Sequence, residues 1–380
     1  MYFVEKTKGL NFFKHFDFVF LFEILLLSIM GLLILSSATR NLDGGTKKVI
    51  VQAGALIIGI IIAFVISAVD YKDFKILGWL FYFISLVLLV FVIFKGIGLE
   101  ETGSNSWIAV PIIGRLQPSE LAKITFIIVI AVYLEKIKEG QSNKVKDVLI
   151  LLALATVPIG LVLLQPDYGT AIVFVFIIIA MLFTFGIKYR YLLAAFIVAI
   201  PISAFTWFFL LNNERKSRIL TFLSPGSDPQ GAGYQIILAT RTIGSGQIFG
   251  KGWLHGVLTS RGTVPASSTD MIFTVICEEF GFIGAILLVI LISAILFRCL
   301  YIAKNSRDLF GSYVVVGLCA MMGFHFFFNI GVCVGIFPVS GIPLPFISAG
   351  GSAMITNYLA IGIILSVSMR RKRAIFNNSQ

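Results

Sequence analysis

Ten apolar runs, most of them close to 20 residues long, fix what this chain can become. They fall near 17–38, 49–69, 76–95, 119–134, 148–165, 169–187, 191–211, 271–297, 309–334 and 351–369. A helix needs roughly 20 such residues to cross the hydrocarbon core of a bilayer. Inside lipid the backbone must satisfy its own polar groups, which a helix does within one segment. The pattern therefore specifies an all-α integral membrane protein with about ten transmembrane helices. Only 13% of residues are charged and 58% are hydrophobic, whereas a soluble fold carries about a quarter charged residues. No internal repeat or low-complexity tract divides the chain, so 1–380 reads as a single polytopic membrane domain.

The net charge of +11 could point to nucleic acid, but basic residues on a membrane protein more often set its orientation. With the N-terminus inside, 18 of the 30 Lys and Arg fall on inner segments and six in short outer loops. The other six lie in the long loop of about 212–270 between spans seven and eight, and long loops count little in the positive-inside rule. Both termini are thus expected in the cytoplasm, with the long loop outside. The basic start (Lys6, Lys8, Lys14) runs into a full-length span without a small-residue cleavage site, so the first helix is expected to stay. Cys277, Cys299, Cys319 and Cys333 sit in or beside apolar segments without a CxxC pair, which reads as buried thiols.

Within this apolar chain the charges are the informative residues. Asp270 closes the polar stretch Pro265-Ala-Ser-Ser-Thr-Asp270 and opens an apolar run. A carboxylate where lipid meets water is well placed to act on a lipid-linked substrate, although Asp just before a helix is also an ordinary N-cap. Glu278 and Glu279 lie deeper in the same run, and at least one is expected to pack inward with a partner. Glu120 and Lys123, in Gln117-Pro-Ser-Glu-Leu-Ala-Lys123, share a helical face and can pair. They form either a self-neutralising helix end or the wall of a polar cavity. Gln165-Pro-Asp-Tyr-Gly169 reads first as a tight turn. Between the last two spans, 337–352 carries three prolines, and such backbone is tolerated where it lines a cavity or is covered by protein.

In the long loop, Ser224-Pro-Gly-Ser-Asp-Pro-Gln-Gly231 is turn chemistry. Tyr234-Gln-Ile-Ile-Leu-Ala that follows is apolar enough for the interface. Gly244 to Lys251 looks like a phosphate loop, but Ser245 and Gly252 occupy the positions that require Gly and Ser or Thr. A close-packed outer loop, with Lys251 and Trp253 at headgroup level, is the better reading.

These pieces, in this order, resemble the SEDS (shape, elongation, division and sporulation) family of the RodA/FtsW type. The resemblance spans nearly the whole chain. It rests on Asp70-Tyr71, Gln117 to Lys123, Asp228 to Gln235, Ile243 to Gly246, Gly250-Lys-Gly-Trp253, Thr269-Asp270, Glu278 to Gly284, Asn329-Ile-Gly331 and Pro338 to Ser352. Gly-Lys-Gly-Trp is closer to the RodA branch. The family's usual Pro-Glu-x-His-Thr-Asp lacks its Glu and His here, the basic residue before Trp107 is Ser106, and Leu238 and Ala353 also depart, which marks a divergent member.

The resemblance implies a peptidoglycan glycosyltransferase of the bacterial cytoplasmic membrane that polymerises lipid II and pairs with a class B penicillin-binding protein. It puts the catalytic Asp on Asp270 and the cavity pair on Glu120 and Lys123. Arg218, Lys251, Trp107 and Ser348 follow as further substrate-side residues. Asp270 would take the proton of the acceptor sugar hydroxyl. Basic residues would stabilise the departing undecaprenyl diphosphate, and a divalent cation (Mg or Mn) is left open as a helper. No resident metal site and no nucleic-acid partner are expected, and membrane lipids surround the chain. Two alternatives stay open: a lipid II flippase with a coupling-ion site among Glu23, Glu278 and Glu279, and a scaffold that only activates a transpeptidase.

Overall fold

A computed structural model describes residues 15–98, 104–110, 114–140, 144–191, 206–210, 213–224, 232–260 and 262–371, with isolated positions between 193 and 201. The chain is helical almost throughout. Its long helices are α1 (Phe18–Ala38), α2 (Gly45–Ala68), α3 (Phe74–Lys95), α4 (Pro118–Lys138), α5 (Lys144–Leu164) and α6 (Tyr168–Phe185). Further on come α7 (Asn213–Leu223), α8 (Ala232–Ser245), the single turn α9 (Val257–Ser260), α10 (Ile272–Lys304), α11 (Leu309–Cys333) and α12 (Gly351–Met369). A small hairpin, β1 (Ile108–Val110) with β2 (Gly114–Leu116), precedes α4.

Among the described residues, eight helices are long and apolar enough to cross a membrane. Helix α4 is not one of them, because Glu120, Lys123, Glu135, Lys136 and Lys138 charge its two ends. It is nevertheless buried along most of its length, inside the bundle rather than against lipid. The expected seventh span, 191–211, lies largely outside the described residues.

Helices α4, α11 and α12 form the protein-facing core, and α2, α3 and α5 expose much of their apolar surface. Where helices meet, small residues let the backbones close, as expected between helices that lipid does not drive together. Gly59 of α2 sits under the Tyr358 ring of α12, and Gly362 of α12 sits against Ala63 and Ile66 of α2. At the end of the bundle carrying the termini, polar ties join the helix ends. Asp17 caps α1 and accepts from Arg298 at 2.6 Å, while Tyr71 donates to Asp308 at 2.8 Å.

The segment 212–270 between the spans is not irregular throughout, since it holds α7, α8 and α9. The signal was present in Ile236, Ala239 and Thr242, three residues apart, all buried where α8 packs on α10 and α11. The expected span 271–297 falls on one membrane-length helix, α10, but that helix is kinked. Gly281 (φ 63°, ψ −161°) breaks α10 into a half-helix 272–280, nearly all buried, and a long lipid-facing part. Only glycine adopts that backbone readily. A Cβ at Gly281 would also lie 2.3 Å from the Gly250 nitrogen, so the break is held by direct backbone contact with the segment after α8.

Candidate functional site

Asp270 stands just before the half-helix, at the end of the bundle opposite the termini. It is not the cap of that helix: Met271 holds the N-cap position, without a side-chain cap bond. Among the described residues the Asp270 carboxylate has no hydrogen-bond or ion-pair partner. It is half-buried, and burial pushes its pKa up to about 6. Its backbone, by contrast, is firmly held. The Asn329 amide donates to the Asp270 carbonyl and to the Ile342 carbonyl, both at 2.8 Å. Ser348 Oγ donates to the Thr269 carbonyl at 2.6 Å and accepts from the Leu344 amide at 2.8 Å. The proline-rich segment 338–348 is thereby stitched to the turn that presents Asp270, and Gly341 is the glycine facing its carboxylate.

On the other side of that segment lies a narrow cleft, with an internal volume of about 10 Å³, lined by Gln52, Glu120, His325, Pro343 to Phe346, Ser348 and three residues of α12. Glu120 and Lys123 do pair, at 2.8 Å, with Lys123 fully buried. The Lys123 ammonium also lies 3.0 Å from His325 Nε2. His325 Nδ1 donates to the Met321 carbonyl at 2.7 Å, which fixes the tautomer and leaves Nε2 to accept from Lys123. The wall of the cleft is thus a buried acid–ammonium–imidazole row, in which each charge has a partner. Non-helical backbone at 337–350 lines this cleft, as expected for such a segment.

Asp167 is the N-cap of α6. It accepts from the Thr170 amide at 3.1 Å, the Thr170 hydroxyl at 2.9 Å and Gln117 at 3.0 Å. Burial raises its pKa, and the Thr170 bonds oppose that. The turn reading of 165–169 therefore holds, and the cap ties α6 to the start of α4.

The remaining expected site residues are dispersed. Lys251 does not face the cleft. Its ammonium sits 2.7 Å from Glu278, because the break at Gly281 brings the backbone of 247–252 onto the end of the half-helix. Both glutamates have partners: Glu278 takes Lys251 and Thr259, and Glu279 accepts from Ser37. Trp107 belongs to a bridge with Ile97 beside the hairpin and is not among the residues lining the cleft. Arg218 falls on α7, but its side chain lies outside the described residues. The four cysteines are buried and free.

Sequence reasoning missed His325 and Gln52. Gln52 donates to the Ser348 carbonyl and accepts from the Gly350 amide, both at 3.0 Å. A lone polar residue inside an apolar run was the available signal in each case.

Comparisons with known proteins agree with this architecture. The model of the cell cycle protein family that groups FtsW, RodA and SpoVE matches residues 17–373. The chain is 33% identical over 358 residues to the peptidoglycan glycosyltransferase MrdB of Escherichia coli K12, covering 94% of this chain and 95% of that protein. It is 34% identical over 360 residues to stage V sporulation protein E of Bacillus subtilis 168, covering 93% and 96%. A solved peptidoglycan synthase complex, described as coordinating polymerization and crosslinking, contains a chain superposing with TM-score 0.79 at 28% identity, over 93% of this chain and 97% of that one. The rod shape determining protein RodA of Thermus thermophilus superposes with TM-score 0.70 at 26% identity, over 94% and 98%. With its full-length match and its multi-pass helical fold, the chain belongs to the FtsW/RodA/SpoVE family.

Proposed function

We propose that this protein is a peptidoglycan glycosyltransferase that polymerises lipid II into glycan strands at the outer face of the cytoplasmic membrane, in the service of cell shape. The observation that carries this reading is the half-buried carboxylate of Asp270, without a partner among the described residues and presented beside a polar cleft at one end of the bundle. A general base works best when its pKa lies near the operating pH. At about 6, Asp270 is roughly nine-tenths ionised at pH 7 yet still takes a proton readily.

In the proposed step, Asp270 removes the proton from the acceptor sugar hydroxyl as that oxygen attacks the anomeric carbon of the donor. The carbon–oxygen bond to the diphosphate breaks, and undecaprenyl diphosphate leaves with the bonding pair. Holding two lipid-anchored sugars beside Asp270 supplies the positioning that a free encounter lacks. The Glu120–Lys123–His325 row gives the cleft a wall of fixed polarity, and Ser348 braces the turn before Asp270.

Lys251 is engaged by Glu278 and is not assigned to the leaving group. A divalent cation such as Mg or Mn is proposed as a helper that accompanies the diphosphate.

The charge distribution supports cytoplasmic termini, which puts Asp270 on the outer side. The solved synthase complex supports a cross-linking partner, proposed to be a class B penicillin-binding protein. The flippase alternative drew on Glu23, Glu278 and Glu279, and the structural bonds of the last two favour the transferase. The test is lipid II polymerisation by the purified protein, with moenomycin added to silence contaminating polymerases of the other family. Glycan strands are expected. A parent that makes none, yet still activates its transpeptidase, would replace this reading with the scaffold.

A further inference from the structure

The half-helix 272–280 is cut from the rest of α10 by Gly281, so it cannot rely on the long helix to hold it. Its anchorage comes instead from the segment after α8. The Lys251 amide donates to the Glu278 carbonyl at 3.0 Å and the Gly252 amide to the Glu279 carbonyl at 2.9 Å. Beyond the break, the Phe282 amide donates to the Gln247 carbonyl at 2.9 Å and the Ile283 amide to the Ile248 carbonyl at 3.1 Å. These bonds answer the carbonyls and amides that a broken helix leaves unpaired.

At the centre of this anchorage is a single buried carboxylate. Glu278 accepts from Lys251 Nζ at 2.7 Å, the Leu258 amide at 2.9 Å, the Thr259 amide at 3.0 Å and the Thr259 hydroxyl at 2.8 Å. Its side chain is fully buried. Four bonds from residues 251–259 converge on one side chain, and charge-assisted bonds of this kind are the strong ones. Asp270 lies at the other end of the same rigid half-helix, roughly 12 Å away at 1.5 Å per residue. None of these groups reaches the cleft.

From this geometry we infer that Glu278 is a positioning residue for Asp270: it clamps the segment 251–259 to the end of the half-helix and so fixes where Asp270 stands. Lys251 and Thr259 are the arms of the clamp. The inference rests on the assignment of Asp270 above and adds a group that touches no reacting atom. A shift of about 1 Å at a reacting group can cost on the order of 100-fold in rate, so a clamp remote from the cleft can still govern turnover.

The test compares purified parent, Glu278→Gln and Lys251→Met in the lipid II assay, with kcat and KM measured from pH 5 to 8. Glutamine keeps the shape and an acceptor oxygen but loses the charge that gathers the four donors. Both variants are expected to lose at least tenfold in kcat with KM within twofold. The acid limb of kcat, set by Asp270 with Cys333 as its titratable neighbour, is expected to move below pH 6 as the carboxylate gains water. Parental kcat in both variants would overturn the inference, and so would a loss of kcat with the acid limb unmoved, which marks mere maintenance of the fold. Should Glu278→Gln fail to insert, Lys251→Met decides alone, because its amine is partly exposed and its loss leaves three of the four bonds. An Asp270→Asn variant run alongside separates the two levels. If it stays active, the Asp270 reading fails and the clamp inference with it. If it is dead while the clamp variants match the parent, only the clamp fails.

Discussion

Replacing Lys123 with methionine while Glu120 stays in place strands a carboxylate inside the bundle. Lys123 is 0% exposed, the Glu120 side chain 9%, and their charged atoms are 2.8 Å apart. Methionine fills much the same volume, so packing contributes little to the outcome. The stranded carboxylate can escape its cost only by taking a proton. From an ordinary value near 4.3 to pH 7, that caps the loss at about 3.7 kcal/mol. Glu120→Gln strands the ammonium instead, and its cap, from about 10.4 down to 7, is about 4.6 kcal/mol. Both agree with the roughly 3–5 kcal/mol found when one partner of a buried pair is removed. The double variant strands no charge. It leaves His325 Nε2 without its donor, at a cost of about 1 kcal/mol. At roughly 2 °C per kcal/mol, the low end for larger domains, the single variants should melt about 7–9 °C below the parent and the double variant about 2 °C below. Thermal unfolding in detergent, followed by tryptophan fluorescence, reads all four proteins. A double variant that loses the sum of the two single effects would show that the charges do not interact, and would refute the reading of the cleft wall.

Three further outcomes are expected. Because burial raises the Asp270 pKa above its unfolded value, the ionised carboxylate opposes folding at neutral pH, and that penalty fades as pH falls through about 6. Asp270→Asn should therefore melt higher than the parent at pH 7.5, with the gain shrinking by pH 5; an equal or lower melting point at pH 7.5 would contradict the desolvated setting. Gly281→Ala places a Cβ 2.3 Å from the Gly250 nitrogen in a backbone region that costs about 1–3 kcal/mol for other residues, so it should lose most folded protein by size-exclusion yield, and parental yield would refute the tight break. For orientation, in a chain cleared of its four buried cysteines, His255→Cys should react with an impermeant thiol reagent on intact cells and Arg307→Cys should not; the reverse labelling would put Asp270 on the wrong side.

What the sequence disclosed follows how local the information was. Spans such as 309–334 and 351–369 were legible because length and apolarity are properties of one stretch. The Glu120–Lys123 pair was legible because residues three apart meet on one helix. Partners far along the chain were not: His325 reaches Lys123 from 202 residues away. The break at Gly281 was hidden for the same reason. A glycine in an apolar run reads as tolerated helix, and what breaks it is Gly250, which closes against it from another segment. Lys251 reads from the sequence as a residue at headgroup level because nothing near it could neutralise it, whereas Glu278 lies 27 residues on. Helix α8 was the exception, since its buried positions recur every three residues and were overshadowed by the turn residues before them. Asp270 itself was visible as an acid at a lipid boundary, but only the structure shows that Met271, not Asp270, holds the cap position.

The most direct test of the account is the rate of lipid II polymerisation by purified Asp270→Asn beside the parent at pH 7.5. Met271 holds the cap position without a side-chain bond, so the amide disturbs no cap and the variant should fold and bind its partner normally. Losing a general base should lower the rate by about 10²–10⁴-fold, leaving no glycan strands where the parent makes them. Strands made by Asp270→Asn at near-parental rate would contradict the assignment and place the chemistry elsewhere in the bundle.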